Sequence, residues 1–201
     1  MEQKLVEMLE NAKIPDKEKI EMICVAYGLI PIGEAKDEFE IKKILDPAGL
    51  QYKEYNGFLL FSAYRERIDK LKEASKIRND YVLGLMWGYP LCCVEYFSKE
   101  AGGEEAFSAY LKEIRKRIND REHIEYYFRD YVPCPVCVKN KNSPSGRLEE
   151  KIEGLLSKAS PKLHESFYRI KNNKSGDING EWTILQFEDS QGNLQRVNYD
   201  V

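Results

Sequence analysis

Four of the five cysteines in this chain fall into two short clusters. The stretch "GYPLCCVEYF" contains Cys92 and Cys93, and the stretch "PCPVC" contains Cys134 and Cys137. Cysteine thiolates bind zinc and iron–sulfur clusters, and they are also the reactive groups of thiol redox enzymes. Because cysteine is scarce in the rest of the chain, we expect the two clusters to meet in space and form one thiol site.

The second cluster has the spacing of a metal-binding turn. Cys134 and Cys137 form a C-x-x-C pair, from which two sulfurs reach one metal ion. Pro133 and Pro135 stiffen this turn because proline fixes the backbone dihedral φ. The alternative is a loop with incidental cysteines, but the proline-bearing turn favours a pair of metal ligands.

The adjacent cysteines of the first cluster are predicted to lie in the first turn of a short helix, residues 91–99, that is opened by Pro90. The unpaired N–H groups and the dipole at a helix N-terminus favour thiolates. The alternative is that Cys92 and Cys93 are small buried hydrophobic residues. Consecutive helical residues point about 100° apart, so binding of one ion by both cysteines would require distorted geometry. A site of three cysteines with one open position, as a catalytic metal needs, is therefore an attractive arrangement.

Two further residues are of types that can bind metals. His123 is a candidate fourth ligand, although a lone histidine on a helix is more often a surface or packing residue. Cys24 is expected to be a packing residue, because it lies on the apolar stripe of a predicted helix together with Ile20 and Ile23. The predicted metal ligands are therefore Cys92, Cys93, Cys134 and Cys137, and the predicted cofactor is zinc or an iron–sulfur cluster.

Charge and composition limit the partners that this chain is expected to have. Of its 201 residues, 42% are hydrophobic and 32% are charged, with a net charge of -3, so a folded chain with interspersed charges is expected. Residues 112–121 carry five basic and two acidic side chains, a pattern typical of a solvated helix face, and nucleic-acid binding is not expected. A small molecule remains the candidate partner.

The N-terminus is charged throughout and does not resemble a secretory signal. No apolar run approaches the roughly 20 residues that cross a bilayer. We therefore expect a cytoplasmic protein with no membrane partner. Abundant lysine and glutamate fit a thermophile, and since some thermophile cytosols contain disulfides, disulfide pairing of the cysteines stays open.

The predicted fold class is α+β, a predominantly helical single domain over residues 1–201. A central β-hairpin turns at Asn56-Gly57 and a C-terminal hairpin, residues 181–200, turns at Gly192-Asn193. Residues of about 84–97 and 131–146 should build the thiol site. Helices are predicted at 2–12, 16–28, about 35–46, 65–79, 80–88 (expected to be the most buried), 91–99, 103–120, 121–132, 145–158 and 161–172.

The two cysteine stretches, followed by a serine before a helix, resemble an uncharacterised and largely archaeal family known as domain of unknown function 483. The resemblance covers roughly residues 80–165, and its motif residues are Gly88, Pro90, Cys92, Cys93, Cys134 and Cys137. It implies one shared cysteine site but no particular reaction. Val132 and Pro133 stand where the second cluster of the family has a histidine, which argues against a histidine ligand there.

Three functions follow from these observations. The first is a metalloprotein whose zinc or iron–sulfur centre acts on a small molecule or RNA. The second is a thermophile binding or interaction module whose cysteines form disulfides or a closed structural zinc site. The third is a thiol redox enzyme, although the polar loop after the C-x-x-C pair and the lack of a βαβ pattern differ from thioredoxin-like proteins. Whether the protein is an enzyme and how many copies associate are left open by the sequence.

Overall fold

The computed structural model describes residues 2–36, 39–100, 112, 116, 120, 127–129, 133–179, 185–188 and 194–197. Within them the fold is α+β and mostly helical, as predicted. The helices are α1 (Glu2–Asn11), α2 (Asp16–Ala26), α3 (Phe39–Leu45), α4 (Arg65–Lys76), α5 (Asp80–Met86), α6 (Leu91–Glu95) with a π-helical turn (Tyr96–Glu100), α7 (Pro135–Lys139), α8 (Pro144–Ala159) and α9 (Pro161–Asn179). The strands are β1 (Gly33–Lys36), β2 (Gln51–Tyr55), β3 (Phe58–Ser62), β4 (Leu185–Glu188) and β5 (Leu194–Val197).

Helix α2 lies at the centre of the main core. It begins after Pro15, packs against α1, α9, β1 and β3, and buries every residue from 19 to 25. Its buried charges have partners: Lys19 lies 3.1 Å from a carboxylate oxygen of Asp16, and Glu21 accepts the backbone N–H of Glu34 at 3.3 Å. A helix enclosed on several sides can therefore carry charged residues, provided that each is paired.

The predicted central hairpin is confirmed, and a third strand extends it. The strand order is β1-β3-β2, and both pairings are antiparallel. Asn56 and Gly57 both have positive φ, 51° and 81°, as the tight turn of a two-residue hairpin requires. The asparagine-glycine pair therefore sets the register of β2 against β3.

The prediction of one helix over about 35–46 is wrong in its first part. Gly33–Lys36 is a strand that pairs with β3, and the helix begins only at Phe39. The strand has four residues with alternate burial, which is too short a pattern to recognise in sequence. Pairing with β3 supplies the backbone hydrogen bonds that decide its conformation.

Charged side chains of neighbouring helices cover both outer edges of this sheet. Carboxylates of α2 accept the outward N–H groups of β1, and cationic groups of α4 donate to the outward carbonyl groups of β2. These contacts are Glu34 N–H to Glu21 (3.3 Å), Lys36 N–H to Glu18 (3.4 Å), Arg65 Nη1 to Tyr52 O (2.7 Å) and Lys72 Nζ to Glu54 O (3.4 Å).

Helix α5 is less buried than predicted. Asn79 caps its N-terminus by accepting the N–H of Val82 at 3.1 Å, but Gly84 is its one fully buried residue. The expectation that this apolar stretch forms the most buried helix is wrong, because a cavity lies along the helix and leaves its larger side chains half-buried.

The turn after α5 sets the direction of the first cysteine cluster. Gly88 has a φ of 76°, and a Cβ atom at this position would lie 2.5 Å from Cδ of Pro31. Glycine is therefore required both by the backbone conformation and by the close approach of Pro31. Pro90 then caps α6, whose first turn contains Cys92 and Cys93.

The C-terminal strands β4 and β5 pair antiparallel, with Leu185 opposite Val197. The predicted turn at Gly192-Asn193 and the ends of that hairpin lie outside the described residues. The predicted helices at 103–120 and 121–132 also lie almost wholly outside them, as does His123. The prediction of a helix over 121–132 is wrong at its described residues, since 127–129 form a bend whose side chains contact three different parts of the fold. In the part of the chain that the structure describes, no helix has the length and apolarity needed to cross a membrane.

We predict that Cys24→Ala costs on the order of 1 kcal/mol in the free energy of unfolding. Cys24 lies in the main core, where burial raises the pKa of its thiol to about 12, so it remains a protonated packing group. Chemical denaturation measures the cost. A loss of bound metal in this variant would contradict the assignment of Cys24 to packing alone.

Candidate metal centre

The two cysteine clusters meet in the structure. The sulfur of Cys92 lies 3.7 Å from that of Cys137 and 4.0 Å from that of Cys93, and the four sulfurs including Cys134 all lie within 4.8 Å of one another. All five cysteines of the chain are free. The predicted proximity of the clusters is confirmed, and the four cysteines are close enough together to bind a metal ion.

Both clusters lie in the first turns of short helices. Cys92 and Cys93 are the second and third residues of α6, whereas Cys134 caps α7 and Cys137 is its third residue. The backbone N–H of Cys134 donates to the sulfur of Cys93 at 3.4 Å and so joins the two turns. These facing helix ends place partial positive charge close to the sulfurs.

The expected conflict between adjacent cysteines does not arise in this structure. The Cα–Cβ bonds of consecutive helical residues diverge, but each side chain also rotates about its own χ1 angle. The sulfurs of Cys92 and Cys93 thereby converge to 4.0 Å. The structure thus brings together the sulfurs of all four predicted ligands, including both adjacent cysteines.

Three of the four cysteines of the site are buried, and the fourth is partly exposed. Cys93, Cys134 and Cys137 are buried, with no more than 5% of their surface exposed, and Cys92 is half-buried. Burial in protein strengthens electrostatic interactions among the sulfurs, because less water screens them. Cys92 is therefore the one ligand candidate that solvent reaches.

The electrostatics of the cluster favour one thiolate among the four sulfurs when no cation is bound. A hydrogen bond from Cys93, assisted by Ser145, lowers the pKa of Cys137 to about 4. Burial, followed by the nearby charge of Cys137, raises the pKa of Cys92 to about 12. The pKa of Cys93 is also raised, mainly because its thiol donates to Cys137. Additional thiolates would repel the first one, so full ionisation needs a bound cation.

Two buried serines support the site from the start of α8. The hydroxyl of Ser145 lies 3.5 Å from the sulfur of Cys93. Ser143 caps α8 by accepting the N–H of Gly146 at 3.2 Å, and its hydroxyl also lies 3.2 Å from that of Tyr127. The Tyr127 hydroxyl in turn donates to the backbone carbonyl of Cys137. One hydrogen-bonded chain therefore runs from the helix cap to the C-x-x-C turn.

Three consecutive residues fix the site to the rest of the molecule. Tyr127 packs with the cysteine cluster, whereas Phe128 belongs to the main core and lies 5.4 Å from Phe167 between ring centroids. The guanidinium of Arg129 lies over the ring of Tyr89, 5.6 Å from its centroid. These three residues thus contact the cysteine cluster, the main core and the turn before α6.

The cysteines are recognisable from sequence, whereas the roles of Tyr127, Ser143, Ser145 and Gly146 appear only in the structure. A usable signal was present in "SPSG", because serine followed by proline is typical of a helix N-cap and first helical position. This signal indicates a helix that starts at Pro144, seven residues after Cys137. It does not indicate which atoms the cap of the helix binds. His123, the other candidate ligand, lies outside the described residues.

A scan of protein-family models gives no match to this chain, and comparisons with curated proteins and with solved structures give none either. Membership of the family of unknown function 483 therefore stays a prediction.

We predict that Gly146→Ala disrupts the support of the site. A Cβ atom there would lie 1.6 Å from the carbonyl oxygen of Lys141, so the loop between α7 and α8 must move. We expect a loss of about 3 kcal/mol in the free energy of unfolding, as for severe overpacking, and weaker metal binding. Chemical denaturation and metal titration measure the two effects.

The matched control is Gly154→Ala in the same helix. A Cβ atom at Gly154 meets nothing within 4 Å, and alanine is the better helix former. This variant should gain up to about 1 kcal/mol and keep its metal affinity. Equal behaviour of the two variants would show that the predicted collision at Gly146 is relieved without cost.

Metal-free protein should carry one thiolate at neutral pH, located on Cys137. Its folded-state pKa of about 4 lies below that of an ordinary thiol, so its stabilising effect is present at alkaline pH and is lost as the pH falls through about 4. Ultraviolet thiolate absorbance, followed against pH, should show about one thiolate per chain that is lost in Cys137→Ser. Unchanged absorbance in this variant would contradict the assignment.

Proposed function

We propose that this protein is a zinc-binding protein in which Cys92, Cys93, Cys134 and Cys137 bind one ion. The observation that carries the proposal is the spacing of the sulfurs. Four thiolates at about 2.3 Å from a tetrahedral zinc ion lie about 3.8 Å from one another. The distances of 3.7 Å and 4.0 Å from Cys92 to its neighbours fit this arrangement.

An iron–sulfur cluster fits the spacing less well. Each cysteine of a four-iron cluster binds a different iron atom, so the cysteine sulfurs are held further apart than four sulfurs on a single ion. All four sulfurs here lie within 4.8 Å of one another. A single tetrahedral ion bound by four sulfurs is typical of zinc, which is the metal we assign to the site.

The proposed role of the zinc ion is structural. Four cysteines fill a tetrahedral site, whereas a catalytic zinc keeps one position for water or substrate. The ion would join turns that are 45 residues apart in sequence, at Cys92 and Cys137. Metal binding then contributes directly to folding, because the unfolded chain has no preformed site. This favours a binding protein with a closed zinc site over a metalloenzyme or a thiol redox enzyme.

Membership of the largely archaeal family, a thermophilic source and a cytoplasmic location remain part of this proposal. They are supported by the cysteine motif, by the lysine and glutamate content and by the charged N-terminus of the sequence. A reducing compartment would keep the four thiols available to the metal.

Metal analysis of protein purified without oxygen tests the proposed centre. We expect about one zinc per chain and no acid-labile sulfide, since a single tetrahedral site holds one ion. Cobalt substitution should give the visible spectrum of a tetrahedral four-thiolate site. Iron with stoichiometric sulfide would contradict the zinc assignment, and the absence of any metal would contradict the proposed centre.

Single Cys→Ser variants at the four positions test the ligand set. Each should weaken zinc binding by more than about 100-fold, which is the upper end of the effect of losing a hydrogen-bond partner of a ligand. Cys24→Ala is the matched control and should bind zinc normally, because Cys24 lies in the main core. If Cys92→Ser alone kept full affinity, the site would be a three-cysteine centre with an open position.

A further inference from the structure

A cavity of about 290 Å³ lies beside the cysteine site, between α5, α6 and the π-helical turn. Cys93 lines this cavity and also belongs to the four-sulfur cluster. Gly84 forms part of the wall where α5 meets α6, and a Cβ atom there would lie 2.8 Å from Cγ2 of Val94. The cavity is close to the lower size limit of small-molecule sites, so it fits a small ligand.

The wall of the cavity is mainly apolar and carries three aromatic rings, those of Trp87, Tyr89 and Phe97. Aromatic rings attract cations through their negative faces, and groups of such rings bind alkylated ammonium ions in other proteins. Tyr89 already has a cationic neighbour, because the guanidinium of Arg129 lies 5.6 Å from its ring centroid. The positive charge of Arg129 also interacts favourably with the carboxylate of Glu21.

The charged side chain that lines the cavity is negative, and the cation nearest to it, Arg129, lies over the ring of Tyr89. Asp80 lines it, and among the described residues no lysine, arginine or histidine does. The proposed zinc centre adds to this charge, because four thiolates and one divalent ion give a net charge of about -2. A cationic ligand with an apolar body would therefore complement both the walls and the charges of this cavity.

We propose that this cavity binds a small organic cation, an ammonium ion that carries alkyl or aryl groups. Its apolar groups lie against the aromatic walls, and its charge faces the carboxylate of Asp80, with the four-cysteine cluster behind the wall at Cys93. The contribution of the sulfurs rests on the proposed zinc centre, whereas those of Asp80 and the aromatic rings do not. The protein then uses zinc to hold one wall of a ligand site in place.

Two probes of the same shape test this assignment on the full-length protein. Phenyltrimethylammonium carries a charge, and tert-butylbenzene replaces its charged nitrogen by carbon. Isothermal titration calorimetry should show that the cation binds about tenfold more tightly than the neutral probe, as expected for a partly desolvated cation–π site. Equal affinities, tighter binding of the neutral probe, or no binding of either would overturn the proposal.

Asp80→Asn should weaken binding of the cation about threefold, as for a largely exposed charge pair, and leave the neutral probe unchanged. The neutral probe thus reports whether the variant keeps the shape of the cavity. Glu73→Gln, on the exposed face of α4, is the matched control for the charge change and should alter neither affinity.

Metal content is measured on the samples used for the titrations. Protein without zinc contradicts the proposed function, whereas a ratio near one between the two probe affinities contradicts the ligand proposal at any zinc content. Tighter binding of the cation that is equal in wild type and Asp80→Asn would also contradict it, since the carboxylate would then have no part in binding.

Discussion

Four sulfur atoms within 4.8 Å of one another cannot all carry negative charge unless a cation lies among them. This constraint governs the whole region around the two cysteine turns. Without a cation the cluster holds protons on most of its thiols, and with one it becomes a rigid link between distant parts of the chain. The short helices α6 and α7 have little stability of their own, because isolated helices of this length do not persist in water.

Packing and hydrogen bonds of the chain itself also hold the two cysteine turns together. Tyr127, Phe128 and Arg129 contact three different neighbours, and the cap of α8 holds the loop that follows Cys137. These contacts bring the turns close together before any ion binds. An ion that bound the four sulfurs would meet a site that is largely formed, which reduces the entropy lost on binding.

The sequence predicted those features that depend on local chemistry. The asparagine-glycine turn, the glycine and proline before the cysteines and the C-x-x-C pair each carry a signal within a few residues, and they led to the hairpin and to the shared thiol site. Strand β1 was missed because its pairing with β3 is a tertiary contact. The partial exposure of α5 was missed for a similar reason, since it depends on how the helix packs beside a cavity. The convergence of Cys92 with Cys93 was missed because it depends on the χ1 angles of the two side chains, which the sequence does not specify.

The charged side chains along the three-stranded sheet have a consequence for self-association. A strand from another molecule could extend the sheet only by using the outward groups of β1 or β2, and carboxylates and cations of the same molecule already bind four of these groups. An incoming strand would have to replace charge-assisted hydrogen bonds with neutral ones, which are weaker. These hydrogen bonds from charged side chains to the strand edges thus act as a barrier to amyloid-like growth, in a sheet whose central strand has the apolar sequence FLLFS.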